Sequence, residues 1–299
     1  MNSPRILFAI LATLLFSGFG RSGEVGKLKV FVPVLPYEYL FERIGGEWIE
    51  VKAIVQEGGD CHNYSPSPRQ ITELSQADLL FSGGLTFESN FFIATGDHGP
   101  KEFDLLEGLE LLEGSCSECA SAAAEGKEPH HEHEHEHEEN DAHVWLSPRI
   151  LENQARRVAT LLKKELPGEA ASAIDANLAS FTAELKTVDA ELKTALEPKK
   201  GRAFYVYHGA FAYFAQDYGL VQKAIEVGNR KPTPKQVAAI AKQAKEEGVT
   251  TVFVQPQFDQ SSANALAEAI GGRVETLDPL NKDVLANLRK IAGTIAGAP

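Results

Sequence analysis

The chain has 299 residues, of which 43% are hydrophobic and 24% are charged, a balance that excludes a disordered polymer and predicts a packed protein of two domains or two lobes. Its 29 basic and 42 acidic side chains give a formal net charge of −13, which argues against nucleic acid and against an anionic membrane surface as partners.

The N-terminus has the pattern of an export signal. Arg5 precedes an apolar run from Ile6 to Phe16, which is shorter than the ~20 residues that span a bilayer, and small residues at positions 18 and 20 suit cleavage after Gly20. We therefore expect residues 1–20 to be a signal peptide and the protein to reside in the periplasm; a retained anchor is the alternative. No Cys lies near the cut, so the acylated Cys of a bacterial lipoprotein is not expected.

Residues 27–166 alternate apolar strand patterns with amphipathic helix patterns. Strands are predicted at 27–33, 51–55 and 78–81, and helices at 37–44, 67–77 and 148–166. This alternation is typical of a parallel sheet covered by helices. Inside this N-terminal lobe, residues 115–140 lack apolar periodicity and are predicted to form a mobile loop.

Residues 168–197 are predicted to form one long helix with a continuous apolar stripe. The stripe residues are spaced by four and three: Ile174, Leu178, Phe181, Leu185, Val188, Leu192 and Leu196. Thirty helical residues would span ~45 Å, more than one small domain needs. The helix is therefore either an ordinary amphipathic surface helix or a connector lying against two lobes.

A second α/β series follows in residues 202–299. Strands are predicted at 202–207, 220–227, 250–254 and 273–277, and helices at 209–218, 233–247, 261–270 and 282–296. The expected fold is α/β, with two lobes of mainly parallel sheet flanked by helices, joined by one long rigid helix.

Four side chains at the edges of these elements are candidate metal ligands. His208 and Asp278 directly follow predicted strands, His62 lies a few residues after one, and His143 precedes a helix. In open α/β sheets the ligand crevice lies beyond the carboxyl ends of the strands, so two facing lobes would bring these side chains together. Three imidazoles and one carboxylate favour Zn²⁺ between the lobes. Each residue alone is more typical of a cap or a turn.

A second group of His residues lies in the predicted loop, in the run HHEHEHEHEE. Its members are His130, His131, His133, His135 and His137. Such a run cannot pack a core but offers weak, exchangeable metal ligands, so we expect an auxiliary metal loop rather than a merely solvated linker. Cys116 and Cys119 at its base are expected to form a disulfide, with extra metal ligation as the alternative, which leaves Cys61 unpaired.

The ordered motifs resemble the solute-binding proteins that feed zinc or manganese to ABC importers, in particular the zinc-uptake branch with a His-rich loop. The motifs are HNYSPSP from position 62, the His-rich run, DAHVWLSP from 141, HGAFAYF from 208, VQPQF from 254 and LDPL from 277. They cover the mature chain in the expected order. The resemblance implies a metal held between two lobes joined by one long helix.

Carried over by position, the resemblance assigns His62, His143, His208 and Asp278 as the metal ligands, and a His at 208 favours zinc over manganese. It further implies a monomer that hands Zn²⁺, as bound cargo, to the membrane permease of an ABC importer. The chain departs from the family by having Cys61 where Pro usually precedes the first ligand. It also has Gln255 where an acidic residue is common, which is expected to affect hydrogen bonding around the site.

Two other functions compete with this interpretation. A zinc-dependent hydrolase also uses three His ligands, but the chain has no H-E-x-x-H helix and no G-x-S-x-G elbow, and a carboxylate as fourth ligand suits capture rather than catalysis. A periplasmic metal buffer or chaperone would act through the His-rich loop. Deletion of the loop separates the buffer from a protein that binds metal in the cleft.

Overall fold

The computed structural model describes residues 26–88, 99–114, 140–226 and 230–298. The predicted signal peptide, the five loop His residues and the predicted disulfide between Cys116 and Cys119 lie outside these ranges. What the sequence indicates for these residues remains a prediction. Within the described residues, every helix is too short or too polar to span a lipid bilayer.

The described strands form two parallel four-stranded sheets. The first has the order β2-β1-β3-β4 and the second the order β6-β5-β7-β8. The strands are β1 (Leu28–Val32), β2 (Ile49–Ala53), β3 (Leu79–Ser82), β4 (Lys101–Asp104), β5 (Ala203–Val206), β6 (Val221–Ala224), β7 (Thr251–Val254) and β8 (Arg273–Thr276). In the first sheet the chain places β2 on one side of β1 and β3 on the other, and in the second sheet it places β6 and β7 on the two sides of β5. Such a change of direction creates a crevice beyond the carboxyl ends of the strands.

Helices cover these sheets and join them. They are α1 (Leu35–Gly45), α2 (Pro68–Leu74), α3 (Pro148–Glu165), α4 (Glu169–Leu196), α5 (Ala212–Tyr218), α6 (Pro234–Glu246), α7 (Ser261–Ile270) and α8 (Val284–Gly297). The predicted fold class is therefore confirmed.

The helix starts are encoded locally. Ser67 before α2 and Thr233 before α6 each accept a hydrogen bond from the backbone three residues on, where a Gln side chain reaches back to complete a capping box. Each of these helices also begins with a Pro, whose missing N–H would be unpaired in the first turn anyway. Both starts were predicted within one residue.

The long helix α4 is a connector rather than a surface helix of one lobe. It packs against α1 and α3 of the first lobe and against α5 and α8 of the second. Six of the seven predicted stripe residues are buried, and Leu178 is partly buried. Because one rigid helix contacts both lobes, it fixes the distance between the two sheets.

Polar contacts also cross between the lobes. Lys282 donates from the start of α8 to Glu38 (2.6 Å) and to Glu42 (2.7 Å) on α1. The indole Nε1 of the buried Trp145 donates to the carbonyl of Pro279 at 2.8 Å. Both contacts therefore link the first lobe to the segment between β8 and α8 of the second.

The structure adds one strand that the sequence pattern did not predict. Strand β4 has the sequence KEFD, with three exposed charged residues and no apolar run. β4 is the edge strand of the first sheet and pairs only with β3. An edge strand that is exposed on one face can form without an apolar run, so the hydrophobicity pattern does not predict it. The start of α5 also differs: the helix begins at Ala212, and not at residue 209 as predicted.

Candidate metal centre

Three of the predicted ligands meet between the lobes. The ring centroids of His62 and His208 lie 4.5 Å apart, those of His143 and His208 5.2 Å, and those of His62 and His143 5.6 Å. The Nε2 atoms of His62 and His208 are 2.8 Å apart. Residues separated by up to 146 positions thus form one imidazole cluster, with two members from the first lobe and one from the second.

His62 belongs to the loop that follows β2. Its backbone N–H donates to Oδ1 of Asp60 (2.8 Å), while Asn63 Nδ2 donates to the other carboxylate oxygen (2.8 Å). These two hydrogen bonds form an Asx turn, which fixes the conformation of the loop backbone at His62. Burial, followed by repulsion from His208 and His143, lowers the pKa of His62 to about 3. The ring therefore remains neutral, which is the form that binds metal.

His143 precedes α3 and is 4% exposed. Its backbone N–H and its Nδ1 both hydrogen-bond to Oδ1 of Asp141, at 2.9 and 2.7 Å. An ionised carboxylate can only accept, so Nδ1 donates and the lone pair lies on Nε2. That Nε2 is buried and has no hydrogen-bond partner in the structure.

His208 follows β5 and is equally buried, at 5% exposure. Its Nδ1 hydrogen-bonds to the buried carboxylate of Glu226, which again leaves the lone pair on Nε2. Gln255, which is fully buried, accepts from the backbone N–H of His208 (3.1 Å) and donates to its carbonyl (2.6 Å). The ring of Phe258 stacks on the imidazole with a centroid distance of 5.0 Å. The position of this ring is therefore set by the backbone, by a carboxylate and by an aromatic face.

Asp278 follows β8 as predicted, but its Oδ1 is engaged by two donors. It accepts from Nε2 of Gln257 at 2.9 Å and from the backbone N–H of Leu280 at 3.0 Å. It also lines a 260 Å³ cavity with residues of the loop after β2. The structure gives no contact between Asp278 and the three imidazoles, so its role as a ligand remains a prediction.

Cys61 lies beside two members of the cluster, His62 and His143, although it was not among the predicted ligands. A donor atom of Cys61, one of His62 and one of His143 all lie within 4.8 Å of one another, so among the described residues this set could hold a metal ion. The side chain is 4% exposed, and burial raises the pKa of the thiol to about 12. Without a metal it is therefore protonated and a poor nucleophile.

Sequence reasoning did not assign a role to the two carboxylates that orient the imidazoles. Asp141 was quoted only as part of a motif, and Glu226 was not noticed. Metal-binding His residues generally donate their second N–H to such a group. For Glu226 a usable signal was its place two residues after β6, the neighbour of β5, because carboxyl ends of adjacent parallel strands lie side by side.

Comparisons with known proteins agree with this architecture. A family model described as zinc-uptake complex component A, periplasmic (ZnuA), matches residues 30–298. A putative metal-binding protein of Chlamydia muridarum is 30% identical over 293 residues, which cover 96% of this chain and 99% of that protein.

Solved structures show the same fold. A crystal structure of ZnuA aligns with a TM-score of 0.80 at 34% identity, covering 91% of this chain and 99% of that chain. A ZnuA deletion mutant with zinc bound aligns with the same TM-score and identity over 98% of its length. The match extends over both sheets, α4 and all the residues of the imidazole cluster, and the chain belongs to the ZnuA family of periplasmic zinc-uptake components.

Proposed function

We propose that this protein captures Zn²⁺ in the periplasm and delivers it to the membrane permease of an ABC importer. The observation that carries the proposal is the cluster of His62, His143 and His208, built from both lobes, in which Nε2 of His143 is unpaired and the Nε2 atoms of His62 and His208 share a hydrogen bond at 2.8 Å. Membership of the ZnuA family supports it, and so does the zinc bound in a structural relative.

The chemistry of the cluster suits zinc as cargo. Neutral imidazole nitrogens are preferred ligands of Zn²⁺, whereas Mg²⁺, Ca²⁺ and Mn²⁺ prefer oxygen. The carboxylates of Asp141 and Glu226 fix the orientation and the tautomer of two of the rings. The three rings are therefore arranged for metal binding before the ion arrives, which reduces the entropic cost of capture.

Two side chains compete for the fourth ligand position. They are Asp278, which the sequence motif indicates, and Cys61, whose donor atom lies beside two members of the cluster. Either one would complete a tetrahedral shell of protein ligands. A closed shell suits storage and transport, whereas a catalytic zinc keeps a position open for water. We therefore propose a binding protein and not an enzyme.

The His208→Ala variant tests the cleft as the site of capture. We expect a folded protein whose zinc affinity, measured against a competing chelator, falls by at least about 100-fold, the upper end of the loss caused by removing an outer-shell partner of a ligand. His98→Ala is the matched control, since the sequence around His98, GDHGP, gives no indication of a metal ligand. Equal affinity of the His208→Ala variant and the control would remove the cleft from the proposal.

Deletion of residues 120–139 tests whether the loop is the working part. Asn140 is retained because it pairs with Glu113 in a β-bridge. One tight zinc site per chain should survive the deletion. If all tight binding disappears, the protein acts as a buffer through its loop.

Delivery to a permease needs a test in cells. A bacterium that lacks its own zinc-binding component should grow in zinc-limited medium when it carries this protein with a matching permease. The His208→Ala variant should fail to restore growth. Restored growth with that variant would separate transport from the cleft.

A further inference from the structure

The loop after β2 places a thiol beside the imidazole cluster. One donor atom each of Cys61, His62 and His143 lies within 4.8 Å of the other two. Atoms that bind one Zn²⁺ at 2.0–2.3 Å are separated by roughly 3–4 Å in a tetrahedral shell. These three donor atoms therefore need only small movements to bind one ion.

A second observation also indicates an absent ligand at this place. The Nε2 atom of His143 is buried without any hydrogen-bond partner, although its Nδ1 is held by Asp141. Buried polar atoms in native proteins are nearly always paired, because an unpaired one costs free energy. A cation bound between this nitrogen and its neighbours satisfies the lone pair.

The Asx turn at Asp60 explains how two consecutive residues reach one ion. The two carboxylate oxygens of Asp60 accept from the backbone N–H of His62 and from the side chain of Asn63. The turn therefore fixes the backbone around Cys61, whose side chain is almost fully buried. The thiol is thus held in position, and it is not displayed on the surface for oxidation or modification.

Asp278 is less suited to the same position. Its Oδ1 is occupied by Gln257 and by the backbone of Leu280, a pattern that stabilises the turn after β8. Among the described residues, the group of donor atoms within 4.8 Å of one another contains neither Asp278 nor His208, but Nε2 of His208 lies 2.8 Å from Nε2 of His62.

We propose that the thiolate of Cys61 is the fourth ligand of the zinc ion held by His62, His143 and His208, in place of Asp278. This inference rests on the proposed function. On zinc binding the sulfur loses its proton to solvent and forms the metal–sulfur bond, with no change of oxidation state. A soft thiolate favours Zn²⁺ and disfavours Mn²⁺, so this residue also sets the metal preference of the site.

Cobalt(II) provides the test, because a thiolate ligand produces an intense near-ultraviolet charge-transfer band that nitrogen and oxygen ligands do not. The protein is the full mature chain with Cys116→Ser and Cys119→Ser, so that Cys61 is its only thiol. One equivalent of Co²⁺ should produce the band. Cys61→Ser should abolish it and reduce zinc affinity by at least about 100-fold. The matched control Asp278→Asn should retain the band.

The outcomes separate this proposal from the proposed function. If the parent protein binds cobalt in a His208-dependent way but shows no charge-transfer band, Cys61 is not a ligand and the cleft site stands. A charge-transfer band that persists in the Cys61→Ser variant also shows that Cys61 is not the source of the band and leaves the cleft site in place. If binding does not depend on His208, the proposed function itself fails. The parent spectrum decides the question even if the Cys61→Ser variant does not fold.

Discussion

Glu226 is predicted to control zinc affinity without touching the ion. Its buried carboxylate hydrogen-bonds to Nδ1 of His208, the single imidazole that the second lobe contributes to the cluster. A bound cation withdraws electron density from the ring and strengthens this hydrogen bond. We therefore expect variants at Glu226 to bind zinc less tightly because the positioning and polarisation of His208 are lost.

The size of the effect follows from the kind of hydrogen bond. A bond to a charged acceptor contributes about 1.5–3 kcal/mol and a neutral one about 1 kcal/mol. Glu226→Gln keeps an acceptor but loses the charge, so the difference is about 1.4 kcal/mol, or about tenfold in affinity. Glu226→Ala loses both acceptor and charge and should cost up to about 100-fold. Because the hydrogen bond between Glu226 and His208 also exists without metal, both variants should lower the free energy of unfolding of the metal-free protein.

The assay is a zinc titration against a chelator of known affinity, with thermal unfolding of the metal-free variants in parallel. Glu247→Gln is the matched control, because this carboxylate accepts a hydrogen bond from Tyr205 at 3.0 Å in the same lobe but belongs to no metal cluster among the described residues. The control should bind zinc like the parent protein. If Glu226→Gln and Glu226→Ala both bind zinc as tightly as the control, the carboxylate does not orient the ligand.

Three further predictions concern acidity and lobe motion. Because the pKa of His62 is lowered to about 3, protons do not compete for this ring between pH 7 and pH 5. In the Cys61→Ser variant, which has no thiol to deprotonate at the site, zinc affinity should therefore fall by at most about two decades per pH unit, and not by the three expected for three imidazoles that titrate together. A slope of three in chelator titrations across this range would contradict it. The metal-free protein should also unfold more easily as the pH falls below about 6.5, since the unfolded chain takes up a proton at His62 that the folded chain does not, and denaturant titrations from pH 7 to pH 5 measure this. The lobes should move little on metal release, because α4 packs against both and Lys282 links α8 to α1; a clearly larger radius of gyration of the metal-free protein in small-angle scattering would refute this.

The sequence by itself determined the order of elements and the places of the imidazoles. Apolar periodicity and local capping signals, such as those around Ser67 and Thr233, act over a few residues and can be read without knowing the fold. The alternation of strands and helices then implies parallel sheets, whose carboxyl ends are a shared edge. The position of His208 directly after a strand therefore places it at a ligand crevice from the sequence alone.

Only the tertiary structure decided which side chains meet at that edge. The pairing of His208 with Glu226, the position of Cys61 beside His143 and the occupation of Asp278 by Gln257 all join residues distant in the chain or depend on which way a loop turns. Such contacts depend on sheet order, on the docking of both lobes against α4 and on side-chain rotamers. No local pattern encodes them, because they result from the packing of the whole molecule.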